Sequence, residues 1–205
     1  MIIDPHEHQS RDVYKLLTGA VVPRPIAFVS SLSANGIRNL APFSFFTVVS
    51  ADPPVICFCP LRRAGGGGKD TLQNVRDTGE FVVNIVSEGI AVQMNKTSGD
   101  FPPDVDEFAE SGLTPLASDL IRPPRVKECG IAMECRLRQI VEVSDRPMGG
   151  SLVMGDVLRF HVRDDWFDTF RIDPDKLRAI GRMGGPTYAR TTDRFNIERP
   201  QSTTS

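Results

Sequence analysis

The chain has 205 residues, carries 24 Lys plus Arg against 26 Asp plus Glu, and has a formal net charge of -2. At 40% hydrophobic and 24% charged it lies among soluble globular chains, outside the disordered and disulfide-scaffold classes. Nucleic acid and membrane surfaces demand clustered Lys and Arg, so neither partner is expected, and the length suits a single domain over residues 1–205.

The opening Met1-Ile2-Ile3-Asp4-Pro5-His6 has no signal-peptide pattern, and no apolar run reaches the roughly 18 residues of a membrane span, so a cytoplasmic location is expected. His6-Glu7-His8 lacks a third ligand, and no metal is expected. Ser10 to Leu17 predicts a short helix with Ser10 as N-cap and Val13, Tyr14 and Leu17 on one apolar face. Ile26 to Ser31 reads as a strand. Asn35-Gly36 then marks a hairpin into a second apolar stretch that ends at Ser50. After Asp52-Pro53-Pro54, the run Val55 to Cys59 predicts a short strand buried on both faces. Cys57, Cys59, Cys129 and Cys135 form no CxxC and read as packing residues.

A glycine-rich loop, Arg62 to Gly68, leads into Lys69-Asp70-Thr71-Leu72-Gln73, where Asp70 is the expected N-cap, Gln73 its capping-box partner and Thr78-Gly79 the helix end. Glu80 to Val86 predicts a strand and Glu88 to Lys96 a helix. From Ser98 to Pro124 the chain makes a long surface excursion with one helical stretch, Val105 to Glu110. Gly130 to Val143 and Leu152 to Val162 predict two long strands. Trp166 with Asp164, Asp165 and Asp168 reads as a solvated turn, and Gln201 to Ser205 as a frayed tail. Six or seven strands with few helices predict a mainly β fold, a β-barrel with helices outside it.

Two stretches carry candidate chemistry. The glycines before Lys69 do not make a P-loop, because Arg63 stands where the first glycine belongs and Asp70 where Ser or Thr belongs. The loop, the helix start, the Lys69 ammonium and the Thr71 hydroxyl can still converge on one phosphate-sized anion, or form a plain capped helix after a surface loop. Asn39-Leu40-Ala41-Pro42-Phe43-Ser44-Phe45-Phe46 offers a flat apolar surface with polar edges, as a planar heterocycle requires. A packed core accounts for the same residues.

Pro23-Arg24-Pro25-Ile26-Ala27-Phe28-Val29-Ser30-Ser31, Asn39 to Phe46, Asp52-Pro53-Pro54, Lys69-Asp70-Thr71 and Phe81-Val82-Val83-Asn84, in this order and spacing, resemble the flavin reductase-like, FMN-binding split-barrel family. Arg182-Met183-Gly184-Gly185, Tyr188 and Arg199-Pro200 resemble the ending of its flavoredoxin-like branch. The resemblance implies a homodimer of split barrels, each with one FMN near the interface. It implies that Asn39, Leu40, Ala41, Pro42, Phe43, Ser44 and Phe45 lie along the ring and ribityl chain. Lys69, Asp70 and Thr71 would hold the phosphate, Asp70 chiefly as the cap, with Arg24 adding charge to the same anion. Gly184, Gly185 and Tyr188 would sit by the flavin or the partner subunit.

The activity so implied is hydride transfer from NADH or NADPH to flavin, in the service of a monooxygenase or another redox partner. Many nicotinamide-using members carry a Gly-Asp-His pattern before the last long strand. Here Ser144 to Ser151 contains no histidine, so an FMN electron-transfer protein fed by a partner stands as the alternative. His161, inside a strand, reads as structural.

Overall fold

A computed structural model describes residues 1–200; the tail at Gln201–Ser205 lies outside the described residues. A 3₁₀ turn at Pro5–Glu7 precedes helix α1 (Ser10–Ala20), whose N-cap position is held by Gln9, so Ser10 is the first helical residue and not the cap. β1 (Ala27–Leu32) and β2 (Arg38–Phe43) form the predicted hairpin, with Gly36 at φ 81° where a side chain would strain the turn. The apolar run expected to reach Ser50 is broken at Ser44-Phe45 and resumes as β3 (Phe46–Ala51), followed by β4 (Pro54–Phe58).

α2 (Asp70–Thr78) ends on Gly79 at φ 70° and leads into β5 (Glu80–Ile85), α3 (Ala91–Lys96) and α4 (Glu107–Ser111). The excursion also holds a short pair, β6 (Pro115–Leu116) with β7 (Arg125–Val126). Two long strands, β8 (Ile131–Glu142) and β9 (Ser151–Val162), are followed by a second short pair, β10 (Phe167–Asp168) with β11 (Arg171–Ile172). One helical turn, α5 (Pro174–Leu177), and a hairpin of β12 (Ile180–Arg182) and β13 (Tyr188–Arg190) complete the described chain.

Seven strands form one antiparallel sheet in the order β2-β1-β5-β8-β9-β4-β3. Its two edge strands, β2 and β3, are joined only by Ser44 and Phe45. A flat sheet of this width would hold its edges about 29 Å apart, whereas a two-residue link spans about 10 Å. The sheet must therefore curl into a barrel, and the Cys59 N–H donates to the Phe45 carbonyl (2.8 Å) at the corner. The predicted barrel with outer helices is the observed architecture.

The barrel interior holds Ala27, Val29, Phe43, Phe58, Phe81, Val83 and Met133, with Leu72 and Val75 of α2 packed into the same cluster. Phe58 stands between Phe43 and Phe81, ring centres 5.1 and 5.4 Å away. On the outer face Ile26, Phe28 and Leu40 pack under Met94 of α3 and Phe108 of α4. The cysteines are free, and Cys57, Cys129 and Cys135 are buried, as packing residues are.

One expectation fails outside the core. The apolar face of α1 is largely uncovered: Tyr14, Leu16 and Leu17 are exposed and Thr18 is its buried residue. The turn around Trp166 is solvated as expected, with Asp164, Asp165 and Asp168 exposed; Trp166 itself is half-buried, its ring filling the space beside Gly130, where a Cβ would stand only 2.1 Å from it.

Candidate functional site

β2 lies at one edge of the sheet, so one side of its backbone is unpaired by strands. The Leu40 N–H donates to Glu107 Oε2 (3.1 Å), which shows that Leu40, and by alternation Pro42, turn their backbone groups outward. Pro42 has no N–H to lose at that position, which is why an edge strand accommodates it. The side chains alternate as well: Ala41 and Phe43 meet the barrel cluster, and Leu40 meets the outer one.

At the start of β2, Asn39 Nδ2 donates to Thr71 Oγ1 (3.2 Å), and both residues are buried. This bond joins the two stretches singled out in the sequence. The N-cap of α2 is Lys69, and no side chain caps it; Asp70 is already helical, and Gln73 bonds Asp77 (2.8 Å) in place of closing a capping box. Asp70 is therefore not the cap, and its carboxylate instead takes Arg63 Nη2 (3.2 Å). Lys69 Nζ and Arg63 Nε both meet Asp100 Oδ1, at 3.0 and 3.3 Å. The hydrogen bond and charge of Lys69, and then those of Arg63, hold the Asp100 carboxyl below the usual carboxylate range.

These residues surround a cavity of ≈ 70 Å³ that Asn39, Pro42, Arg63, Lys69, Thr71 and Glu107 help to line. Burial pushes the Glu107 carboxyl up to about 7, with the Asp70 and Asp106 charges adding to it against the N–H bonds it accepts.

At the other end of β2, a cavity of ≈ 230 Å³ is lined by Tyr14, Pro42, Ser44, Ser98, Arg182 and Tyr188 among others. Pro42 and Ser98 line both cavities, so one groove follows the outer edge of β2. Tyr188 donates to Asn95 Oδ1 (3.1 Å), and the Arg182 guanidinium lies 4.5 Å from its ring centre. Gly184 and Gly185 form the turn that carries Tyr188; Gly184 backs onto Thr18 and Gly19 of α1, and neither glycine lines the groove.

Arg24 departs from the role expected of it. Its buried guanidinium donates to the carbonyls of Thr18 (2.6 Å), Val21 (2.8 Å) and Met183 (2.9 Å), and its Nε to Ser44 Oγ (3.3 Å). Burial lowers its pKa, while these acceptors at the end of α1 suit a cation. Ser44 lies five residues along the chain from Asn39, about 16 Å at strand spacing, so Arg24 cannot share an anion with Thr71. The phenylalanines also separate. Phe43 is core, Phe46 packs partly against it, and Phe45 leans on Tyr14 (6.4 Å), so they form no single flat surface.

Sequence reading passed over Arg63, Asp100 and Glu107 as site residues. Arg63 carried a signal, a second cation flanking the glycines; Asp100 and Glu107 lay in the excursion with none. Asp119, Glu134 and His161 also cluster, but buried Glu134 accepts from the Asp119 N–H (2.8 Å), the Leu120 N–H (2.7 Å) and His161 Nε2 (2.6 Å). The cluster ties the excursion to β8 and β9.

The curled antiparallel sheet and its outer groove define a split barrel. A split-barrel protein of Shewanella frigidimarina shares the fold, with a TM-score of 0.84 at 20% identity over 98% of this chain and 100% of that one. Nitrilotriacetate monooxygenase component B from Bacillus cereus is 40% identical, with a TM-score of 0.92 over 96% of this chain and 98% of that one. The 2-nitrobenzoate 2-nitroreductase NbaA of Pseudomonas fluorescens is 35% identical, with a TM-score of 0.89 over 100% and 99%. Residues 19–177 match the family described as the flavin reductase like domain, and the chain belongs to that family. Among the described residues no helix is long and apolar enough to cross a membrane.

Proposed function

We propose that the protein binds one FMN in the groove along β2 and, as a homodimer, passes hydride from NADH or NADPH to it on behalf of a monooxygenase or another redox partner. The observation that carries this reading is the polarity of the groove. Lys69, Arg63 and the buried Thr71 gather at one end, and Pro42, Tyr14 and Tyr188 line the other. That donor set fits one phosphate on an elongated ligand with an aromatic head. The likeness to a monooxygenase component and to a nitroreductase supports the oxidoreductase role.

Bound flavin supplies the redox chemistry. In this reading Lys69 and Thr71 hold the phosphate, and Asn39 orients the Thr71 hydroxyl. The outward carbonyls of Leu40 and Pro42 meet polar groups of the ligand. Ser44 and Tyr188 border the ring, and Arg24 fixes the corner behind them. The partner subunit closes the ring end. Tyr14 lines the groove and also a neighbouring apolar cavity of ≈ 360 Å³ with Val13, Leu17 and Phe45, and the exposed apolar residues of α1 call for such a cover.

A second reading rests on one observation: the tight loop from Ser144 to Gly150, with Gly149 N–H on the Arg146 carbonyl (2.9 Å), contains no histidine, and His161 is engaged by Glu134. An FMN electron-transfer protein would lack a nicotinamide site. Anaerobic mixing of the FMN-loaded protein with NADH and then NADPH separates the two. Bleaching of the flavin band supports the reductase, whereas an unbleached protein that a reduced partner can bleach supports the carrier. The same sample should scatter light as two chains; one chain contradicts the dimer.

A further inference from the structure

Resting on the flavin reading above, we propose that Asp100 is a built-in competitor for the phosphate of the ligand, and that Arg63 is a second cation of the phosphate subsite. One carboxylate oxygen, Asp100 Oδ1, takes both Lys69 Nζ at 3.0 Å and Arg63 Nε at 3.3 Å. A phosphate held by Lys69 would lie within a few ångströms of that carboxylate, and two anions so close repel, so one must leave. Asp100 is the group free to leave: its side chain is 70% exposed, and it follows Thr97, Ser98 and Gly99, which line the same cavity.

The cations are also placed to change partners. Gly65 to Gly68 separate Arg63 from Lys69, and Gly66 and Gly67 sit at φ 87° and 86°, with open space around all four. Arg63 Nη1 donates to the Gly68 carbonyl (2.8 Å), and Nη2 to Asp70 (3.2 Å), so the guanidinium stays by the start of α2 when Asp100 withdraws. Binding is then an exchange of one anion for another on a fixed pair of cations. The subsite is suited to a flavin that comes and goes.

The test is a titration with FMN and with riboflavin, which lacks the phosphate, followed by flavin fluorescence in wild type, Asp100→Asn, Arg63→Ala/Lys69→Ala and the triple variant. Exposed ion pairs are weak, so removing the competitor should tighten FMN about three- to tenfold and leave riboflavin unchanged. In the background lacking both cations the gain should vanish. An unchanged or weaker FMN affinity in Asp100→Asn overturns the inference, as does an equal gain for riboflavin or a gain that persists without Arg63 and Lys69. Wild type that prefers FMN while Asp100→Asn changes nothing defeats this inference alone. Wild type that binds neither flavin, or both equally, defeats the flavin reading and this one with it.

Discussion

The two ends of β2 each carry arginine, and they treat it in opposite ways. Arg24 is 5% exposed and held by three carbonyls and a hydroxyl from three parts of the chain. Arg63 and Lys69 are about one-third exposed, and each touches a carboxylate on an exposed segment. A buried charge is tolerated only where fixed partners surround it, and those partners leave it nothing to offer a ligand. A charge at the surface keeps most of its solvation and can trade one anion for another. Burial thus separates the arginine that builds the site from the cations that serve it.

Breaking the buried end should have the largest effect. Arg24→Met removes the donor shared by Thr18, Val21 and Met183, so the buried Thr18 carbonyl and the partly buried carbonyls of Val21 and Met183 lose a partner. A loss of about 3–5 kcal/mol follows, which in a chain of this size lowers Tm by about 6–20 °C in a thermal melt. A melt within 2 °C of wild type would mean that Arg24 is not the staple described.

At the Lys69 end the main effect should fall on binding, with a smaller loss of stability because Thr71→Ala leaves the buried Asn39 amide without its acceptor. Lys69→Ala with Thr71→Ala should weaken FMN about 10- to 100-fold, the loss expected for charge-assisted bonds to one phosphate, while the circular dichroism spectrum stays that of a β-rich fold. A collapsed spectrum would show that this end, too, is structural.

A smaller effect sharpens the comparison at Glu107, the buried acid beside the exposed cations. Burial raises its carboxyl from 4.5 to about 7. Between those values the native state keeps a proton that the unfolded chain has lost, so the contribution of this one group to stability is greatest below pH 4.5, falls as pH rises to about 7 and is level above it. Glu107→Gln keeps an acceptor for the Leu40 N–H and removes the charge. Without flavin, its Tm should equal that of wild type near pH 4, begin to exceed it at pH 5 and stand a few degrees above it at pH 8. Parallel curves across that range would assign the acid an ordinary titration.

Local features of this fold were legible because their causes are local. Asn35-Gly36 demands a particular turn, and Gly79 ends its helix at φ 70°. The barrel itself rests on pairings such as β4 with β9 and β5 with β8, which residue patterns suggest in number but not in order. The break at Ser44-Phe45 was hidden because an apolar run looks alike whether or not it turns a corner.

The site was legible as residues and less so as roles. Asn39 and Thr71 do meet, but Asp70 stands one position past the cap, within the uncertainty of any helix boundary. Arg24 was misread because a guanidinium looks the same in sequence whether it faces a ligand or a helix end. Asp100, 31 residues from Lys69, belongs to the site only through the path of the excursion.

The central claim is that the groove holds a flavin by its phosphate at the Lys69 and Thr71 end. The most direct measurement is the ratio of riboflavin to FMN dissociation constants in wild type and in Lys69→Ala/Thr71→Ala. The ratio should be well above one in wild type and fall close to one in the variant. Equal affinities in wild type, or a preference for FMN that survives both substitutions, would contradict it.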